Sequence, residues 1–420
     1  MSLRKVLRPI GHPVMQAMRY LLDRWKDFSA KRSLIKLKDK KKCRDVVRVG
    51  FIVQMAGVWD KEKSIFERMC ADSRFEPYLI IVPNYDIINC KVGQYDDDKI
   101  YFLNEAKNGG KAILAYQGGK WINIEELELD YMFYGRPYDD LLPNQLQSGK
   151  VIKYSKICYV PYATLEIKQT VTRPKKFFRN IYIGFLEDPE SVDNVQEEFS
   201  RNCKENLQYF TSIGYPAFEH CMKIAKECVY KKIMWAPRWT YDDVVGGSHF
   251  FEYIHELENY SWGNLEFTIR PHPLMWDNFL RLKLCDQEYI DEHRKKWNKI
   301  GIREDENRNI EESFKDTDIL ITDPSSVIAM FFMTKKPIIF CPKEPYIQAD
   351  LSSLLNSIIP GLYIARNWME LKQHLDTLLR EHKDPLREKR LEILRDNFKE
   401  SENATNNIVE YVYNDFLKVQ

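Results

Sequence analysis

Short apolar runs alternate along the chain with segments whose apolar residues recur at helical spacing. Each run ends in Gly, Pro or a group of polar residues. Buried strands that alternate with helices are typical of α/β proteins with parallel sheets. The predicted strands are 46–55, 78–82, 113–116, 131–134, 157–160, 210–213, 233–235, 265–269, a short strand near Ile302, 319–321, 338–340 and 362–365. Predicted helices cover 60–70, 102–107, 217–229, 250–257, 286–297 and most of 368–417.

The stretch Ile319–Phe340, ILITDPSSVIAMFFMTKKPIIF, shows the pattern most clearly. An apolar strand runs into Thr-Asp-Pro-Ser-Ser, and a helix of about ten residues and a second buried strand follow. Pro324 suits a first helical turn, and the hydroxyls of Ser325 and Ser326 can cap N–H groups. A helix that begins at the carboxyl end of a parallel strand can bind an anion. Ordinary capping is the simpler interpretation of the same residues.

Two such series predict two Rossmann-like α/β domains in tandem, with a basic helix before them and a helical tail after them. This organisation resembles the GT-B arrangement, in which two such domains face a cleft. The length of 420 residues is sufficient for two cores. The predicted divisions are a basic arm at 1–44, a first Rossmann-like domain at 45–229, a second at 230–399 and a terminal helix at 400–420.

Charge distinguishes the arm from the rest. Residues 1–44 carry fourteen Lys/Arg and three Asp, a net +11, so the net +1 of the whole chain leaves −10 for the remainder. Met18, Leu21, Leu22, Trp25 and Phe28 recur at helical spacing among basic residues. Such a helix can lie on an anionic membrane surface, and nucleic acid is the other anionic partner. The alternative is a docking helix in which Met18, Leu22 and Trp25 complete the first core.

The cysteine pattern and the hydropathy of the chain indicate its cellular location. The nine cysteines form no CxxC pair and no cluster at zinc spacing, which favours a reducing compartment. No apolar run approaches the ~18–20 residues needed to span a bilayer, and no signal-peptide pattern opens the sequence. We therefore expect a cytoplasmic protein, peripheral on the inner face of the cell membrane.

Three predicted strands of the second domain end in polar groups: WAPRW with Arg238, RPHP with Arg270 and His272, and TDPSS with Asp323, Ser325 and Ser326. The carboxyl ends of strands in a doubly wound sheet share one edge, so these groups should converge. Guanidinium, imidazole and hydroxyl donors suit a pyrophosphate. No cluster of carboxylates at metal-ligand spacing accompanies them, so we expect neither a metal nor another cofactor.

The order of these motifs, Gly214-Tyr-Pro, IMWAPRW, FTIRPHP and ILITDPSSVIAMFFMTKKPIIF, resembles the CDP-glycerol glycerophosphotransferases, the teichoic-acid polymerase-like enzymes. The resemblance covers about residues 130–345. It implies a GT-B fold with an acceptor domain at 45–229 and a nucleotide-donor domain at 230–399, a nucleotide-diphosphate donor and no required metal. It also implies that His272, Ser325 and Ser326 hold the donor phosphates and that Asp323 shapes the turn.

Some family features are missing. The Trp-His-Gly-Thr-Pro motif, whose His is assigned as the family's base, is absent, and no histidine lies between Tyr159 and Gly214. Arg238 replaces the Thr of A-P-T-W, Pro324 replaces the Tyr of T-D-Y-S-S, and Met330 stands where the family often has an acid.

Carboxylates in first-domain loops are the remaining candidates for the base. Asp139 and Asp140 follow Gly135-Arg136-Pro137, and Glu166 follows another strand end. A carboxylate can accept the proton of an acceptor hydroxyl, although each of these acids also fits an ordinary turn or cap. Arg136 is the candidate for an acceptor phosphate.

The sequence thus predicts a transferase that moves glycerol phosphate, or a related polyol phosphate, from a CDP-activated donor to a hydroxyl of a lipid-linked or polymeric surface precursor. The alternatives are a GT-B glycosyltransferase that uses a nucleotide sugar, and a nucleic-acid-binding protein that uses the basic arm. Against the latter, the sequence has no recognised nucleic-acid module and an acidic body, so we expect no nucleic-acid partner.

Overall fold

The computed structural model describes residues 8–39, 44–164, 174–224, 229–240, 247–307, 309–348 and 350–418. Two parallel sheets organise these residues. The predicted base candidate Glu166 lies outside them.

The first sheet has seven strands in the order β7-β6-β5-β4-β1-β2-β3, and all its pairings are parallel. Its central strands are apolar and buried on both faces because helices cover each side. The strands are β1 Val47–Val53, β2 Phe75–Ile81, β3 Lys111–Leu114, β4 Tyr131–Tyr134, β5 Lys156–Tyr159, β6 Ile183–Phe185 and β7 Tyr209–Thr211.

The second sheet has six strands in the order β10-β9-β8-β11-β12-β13, again all parallel. Its strands are β8 Lys232–Ala236, β9 Glu266–Ile269, β10 Arg303–Glu304, β11 Ile319–Thr322, β12 Ile338–Phe340 and β13 Tyr363–Ile364. Two small antiparallel hairpins, Tyr85–Asp86 with Lys91–Val92 and Tyr116–Gln117 with Lys120–Trp121, stand apart from both sheets.

Helices fill the connections and both ends of the described chain. They are α1 Arg8–Lys38, α2 Asp60–Cys70, α3 Asp96–Ala106, α4 Ser148–Val151, α5 Lys175–Phe178, α6 Pro189–Glu198, α7 Ser200–Lys204, α8 Pro216–Lys223, α9 Phe250–Asn259, α10 Met275–Arg281, α11 Gln287–Ile300, α12 Ile310–Lys315, α13 Val327–Phe332, α14 Glu344–Ile347, α15 Ser353–Ile358, α16 Trp368–Leu379, α17 Arg387–Asn397 and α18 Ala404–Leu417.

Helix α1 is exposed along its middle and buried near its end. Met18, Leu22 and Trp25 are 58, 54 and 64% exposed, so the prediction that they complete the first core is wrong. Instead, Leu34 and Leu37, near the end of the helix, are buried in that core.

Helix α18 returns from the second domain to the first. Asp415 accepts hydrogen bonds from Tyr131 at 2.6 Å and Tyr182 at 3.0 Å, and lies 2.7 Å from the ammonium of Lys156. All four side chains are buried. The predicted helical tail is therefore part of the packing of the first sheet.

The two domains meet through α8, which packs against α2, α12 and α13. Asp60 and Lys61 begin α2, and Glu311 lies in the first turn of α12; all three are buried. Burial, reinforced by the charge of Asp60, raises the pKa of Glu311 to about 8. Because α2 and α12 each begin beyond a carboxyl-terminal sheet edge, this contact brings those two edges towards each other.

Candidate functional site

The polar strand ends of the second domain converge as predicted. Strand β8 pairs with β9 on one side and with β11 on the other, so the loops after these three strands are neighbours. They carry Arg238, His272 and Asp323 respectively.

Asp323 connects its own turn, after β11, to the segment that follows β8. Its side chain is fully buried, and Oδ2 accepts hydrogen bonds from the backbone N–H of Arg238 at 2.8 Å and of His249 at 3.2 Å. The hydroxyl of Ser248 donates to the same oxygen at 3.1 Å. The prediction that Asp323 shapes its own turn is thereby extended: its carboxylate fixes the neighbouring loop as well.

His249 is a residue of this site that sequence reasoning missed. Its Nδ1 lies 2.8 Å from Oδ1 of Asp323, and its ring stacks on Tyr253 at 4.7 Å. His249 is also buried, and its Nε2 lies 3.6 Å from Glu252. No recognisable motif surrounds it in the sequence, and only its place directly before helix α9 could have drawn attention to it.

Arg238 braces the turn after β11. Its Nη1 donates to the carbonyl of Pro324 at 2.7 Å, and its Nε donates to the hydroxyl of Thr240 at 2.6 Å. The guanidinium therefore lies beside the Ser325-Ser326 turn, where its charge contributes positive potential. Its role as a direct phosphate ligand stays a prediction.

His272 presents one ring nitrogen to solvent. Nδ1 accepts a hydrogen bond from the backbone N–H of Leu274 at 3.2 Å, which leaves the ring proton on Nε2, and the ring stacks on Trp239 at 5.3 Å. Desolvation by the surrounding protein, aided by the charges of Arg238 and Arg270, lowers the pKa of His272 to about 4. At neutral pH the imidazole is an uncharged N–H donor at the rim of the site.

Arg270 forms an ion pair within the chain. Its Nη1 lies 2.5 Å from Asp305 and donates to Ser313 at 3.0 Å. The predicted role as a phosphate ligand is therefore not supported by these contacts. In this structure the guanidinium ties β9 to the loop after β10 and supplies charge from a distance.

The Ser325-Ser326 turn leads into a helix shorter than predicted. Helix α13 covers Val327–Phe332, six residues, and the left-handed backbone of Lys335 (φ 68°) follows its end. The hydroxyl of Ser325 accepts from the N–H of Val327 at 3.4 Å, a weak contact. Ser326 precedes the helix without a side-chain cap, so within the described structure its half-buried hydroxyl is not used for capping.

The first-domain carboxylates have mostly structural contacts. Asp139 accepts from both the N–H and the hydroxyl of Ser148 at 2.7 Å, so it caps the start of α4. Asp140 is exposed on the adjacent turn. The cap favours a structural role for Asp139. Whether Asp139 or Asp140 is the base stays a prediction.

Arg136 lies in a small cavity at the carboxyl edge of the first sheet. About 30 Å³ of it is accessible to water, enough for about two water molecules, and Gln54, Trp59 and Glu62 also line it. Arg136 donates to the side-chain oxygen of Gln54, and burial lowers the pKa of its guanidinium. Glu62 was not among the residues predicted from the sequence.

The described part of the chain offers neither a metal-binding cluster nor a membrane span. No group of three or more His, Cys, Asp or Glu side chains is placed to hold a metal ion there. No helix of the described segments has both the length and the apolar character needed to cross a bilayer.

The overall fold is similar to several solved structures. The wall teichoic acid polymerase TagF, in a structure with CDPG, is 15% identical with a TM-score of 0.54, over 99% of this chain and 97% of that one. A putative UDP-N-acetylglucosamine 2-epimerase from Listeria monocytogenes is 12% identical with a TM-score of 0.55, over 89% and 98%. A glycosyltransferase from Rickettsia africae is 12% identical with a TM-score of 0.51, over 90% and 100%. No curated protein matches the sequence significantly.

The two parallel sheets and the similarity to these solved structures confirm the predicted fold class, α/β of the GT-B type. Residues 219–414, a little under half of the chain, match the family model described as CDP-Glycerol:Poly(glycerophosphate) glycerophosphotransferase. The match includes all three polar strand ends. The Gly214-Tyr-Pro motif, which belongs to the predicted resemblance, lies outside it.

Proposed function

We propose that this protein transfers glycerol phosphate, or a related polyol phosphate, from a CDP-activated donor to a hydroxyl of a cell-surface polymer precursor. The observation that carries the proposal is the junction at Asp323, which joins the turn after β11 to the segment between β8 and α9 inside the region matched by the family model. The TagF structure with CDPG supports the choice of donor.

The donor phosphates fit between His272 and the Ser325-Ser326 turn. The Nε2–H of His272 and the hydroxyl of Ser326 are donors at this edge, and Arg238 adds positive charge beside the turn. Hydrogen bonds of this kind strengthen as charge builds on the leaving phosphate, so they stabilise the transition state more than the ground state.

The reaction forms one P–O bond and breaks another. The acceptor hydroxyl loses its proton and attacks the phosphorus that carries the glycerol. The bond from that phosphorus to the bridging oxygen breaks, and CMP leaves with the electron pair. The cations of the site offset the charge that develops on the bridging oxygen.

A donor panel tests this assignment. Thermal shift and turnover are measured with CDP-glycerol, CDP-ribitol, UDP-sugars and GDP-sugars, for the wild type, for His272→Ala and for Ser325→Ala/Ser326→Ala. We expect shift and turnover with a CDP-polyol, and loss of turnover in both variants without unfolding. Turnover with a nucleotide sugar alone would establish the glycosyltransferase alternative, and unchanged variants at saturating donor would refute the donor site. A salt-sensitive gel shift by the full-length protein would favour a nucleic-acid binder.

We further propose that the first half of α1 lies on an anionic membrane surface. Leu21, Trp25 and Phe28 are 64, 64 and 66% exposed on one side of the helix. Asp23 and Asp27 pair with the buried Arg179, so the acidic residues of this helix turn towards the protein. The basic residues Arg19, Arg24 and Lys26 remain to contact lipid phosphates.

A further inference from the structure

A buried carboxylate without a partner lines the cavity of the first domain. Glu62 is 2% exposed, and among the described residues its Oε1 has no hydrogen-bond partner. An unpaired buried polar atom costs roughly 1–3 kcal/mol, so its retention calls for an explanation. Gly135 lies against this carboxyl: a Cβ there would be 2.9 Å from Oε2 of Glu62.

The cavity lies at the edge of the first sheet that faces the second domain. Gln54 follows β1 and Arg136 follows β4, so both lie at the carboxyl edge of the first sheet. The contact of Asp60 and Lys61 with Glu311 brings this edge towards the second domain, and Glu62 is the next residue of the same helical turn.

Resting on the function proposed above, we infer that Glu62 accepts the proton of the acceptor hydroxyl and that Arg136 binds a phosphate of the acceptor chain. The proton passes from the hydroxyl to Oε1 of Glu62 as the acceptor oxygen bonds to the donor phosphorus, and CMP leaves. The ligand class is therefore a polyol phosphate with a terminal hydroxyl. Gln54 holds Arg136 in place.

The electrostatics of the cavity suit this role. Burial raises the pKa of Glu62 to about 8. Its carboxylate is therefore a stronger base than that of an exposed glutamate, and its pKa lies close to neutral pH, where general-base catalysis is most efficient. The ionisable groups around it are Asp60 and Lys61 on its own helix, Tyr134, Arg136 and Tyr138 on and after β4, and Cys158 on β5.

Kinetics give the first test. With a donor that the wild type turns over, Glu62→Gln should lower kcat by about 10²–10⁴ while KM for the donor stays the same. The rise of wild-type kcat with pH towards about 8 should disappear in the variant. Glu67→Gln, an exposed position on the same helix, is the matched control. A Glu62→Gln enzyme with wild-type kcat and pH profile would overturn the inference while leaving the proposed function intact.

Binding gives a second test that needs no turnover. Glycerol 3-phosphate should raise the melting temperature of the wild type, and Arg136→Met should abolish that shift while the CDP-glycerol shift persists. Gly135→Ala should also weaken the binding of glycerol 3-phosphate, because the added methyl group would press on the Glu62 carboxyl. No shift in the wild type, or an equal shift in Arg136→Met, would refute the acceptor cavity whatever the donor proves to be.

Discussion

Oδ1 of Asp323 lies 2.8 Å from Nδ1 of His249, and both side chains are buried. This contact joins the turn after β11 to the start of α9, while the other carboxylate oxygen holds the loop after β8. One side chain thus positions three segments of the donor site.

Asp323→Asn should destabilise the second domain and weaken the donor site together. An amide cannot accept the full set of hydrogen bonds, and the change removes the charge opposite His249. Each buried donor that is left without its acceptor costs about 1–3 kcal/mol. Urea denaturation and CDP-glycerol thermal shift measure the two effects. Asp277→Asn, an exposed change on α10, should stay within about 0.5 kcal/mol of the wild type. A fully stable Asp323→Asn would contradict the organising role of this residue.

His272 should remain neutral in the free protein down to acidic pH. Its ring signals in an NMR titration should move with a midpoint of about 4 because desolvation and two neighbouring guanidinium groups disfavour the cation. Arg238→Met should raise the midpoint, whereas Arg303→Met, on an exposed side chain, should not. A midpoint at the ordinary value of about 6.5 would show that the guanidinium groups do not act on this ring.

The stability of the protein should fall as pH rises from about 5 to 8. In the folded state Glu311 keeps its proton up to about pH 8, whereas the unfolded chain loses it near the ordinary value. The unfolded state therefore binds fewer protons in this window, and stability decreases with pH. In Glu311→Gln the decrease between pH 6 and 8.5 should be smaller by more than about 1 kcal/mol, since one pKa unit corresponds to about 1.4 kcal/mol.

Urea midpoints at the two pH values measure this difference. Glu312→Gln, the exposed neighbour on the same helix, should retain the wild-type slope. An equal slope in wild type and Glu311→Gln would mean that this carboxyl is ionised at the domain contact.

The exposed face of α1 should control membrane binding without supporting the fold. Trp25→Ser/Phe28→Ser should weaken binding to phosphatidylglycerol vesicles by at least about tenfold, since burial of each aromatic side chain contributes about 1.5–3 kcal/mol. The melting temperature should not change. Ile88→Ser, an 88% exposed position elsewhere, controls for loss of any surface apolar group. Removal of 1–28 should leave a folded body, whereas removal of 1–44 also takes away the buried Leu34 and Leu37.

Wild-type turnover should persist in EDTA. The positive potential at the donor phosphates is expected from Arg238, Arg270 and the backbone donors of the Ser325-Ser326 turn. Turnover is measured before and after chelation, with magnesium or manganese added back. Loss in EDTA that either metal restores would show that a cation shares this role.

Local patterning was sufficient to predict both sheets. Apolar runs bounded by Pro, Gly or polar residues identified nearly all the strands, and the order of motifs placed the polar loops at one edge. Strand β6, Ile183–Phe185, was missed because three residues give too little periodicity to stand out. Helix α13 was predicted too long because Thr334 and Lys335 fit a helix in composition, while the backbone turns at Lys335.

Side-chain pairing in the site could not be predicted from the sequence. The motif containing Arg270 suggests a phosphate ligand, and only the fold shows that Asp305 lies beside it. Glu62 belongs to an ordinary amphipathic helix, so its isolation from any partner depends on strands β1 and β4, which are distant in sequence. Contacts between segments far apart in the chain leave no local signal.

Because of the contacts of Asp415, the first domain cannot complete its packing until the end of the chain has been synthesised. Tyr131, Lys156 and Tyr182 are translated early, but the carboxylate that satisfies them follows the whole second domain. At about 5–20 residues per second, about 10–40 s separate the end of α8 from the end of α18 on the ribosome. During that interval the buried ammonium of Lys156 lacks its counter-charge, and the first domain is held incomplete. Packing of helix α18 therefore completes a domain that begins more than 350 residues earlier in the chain.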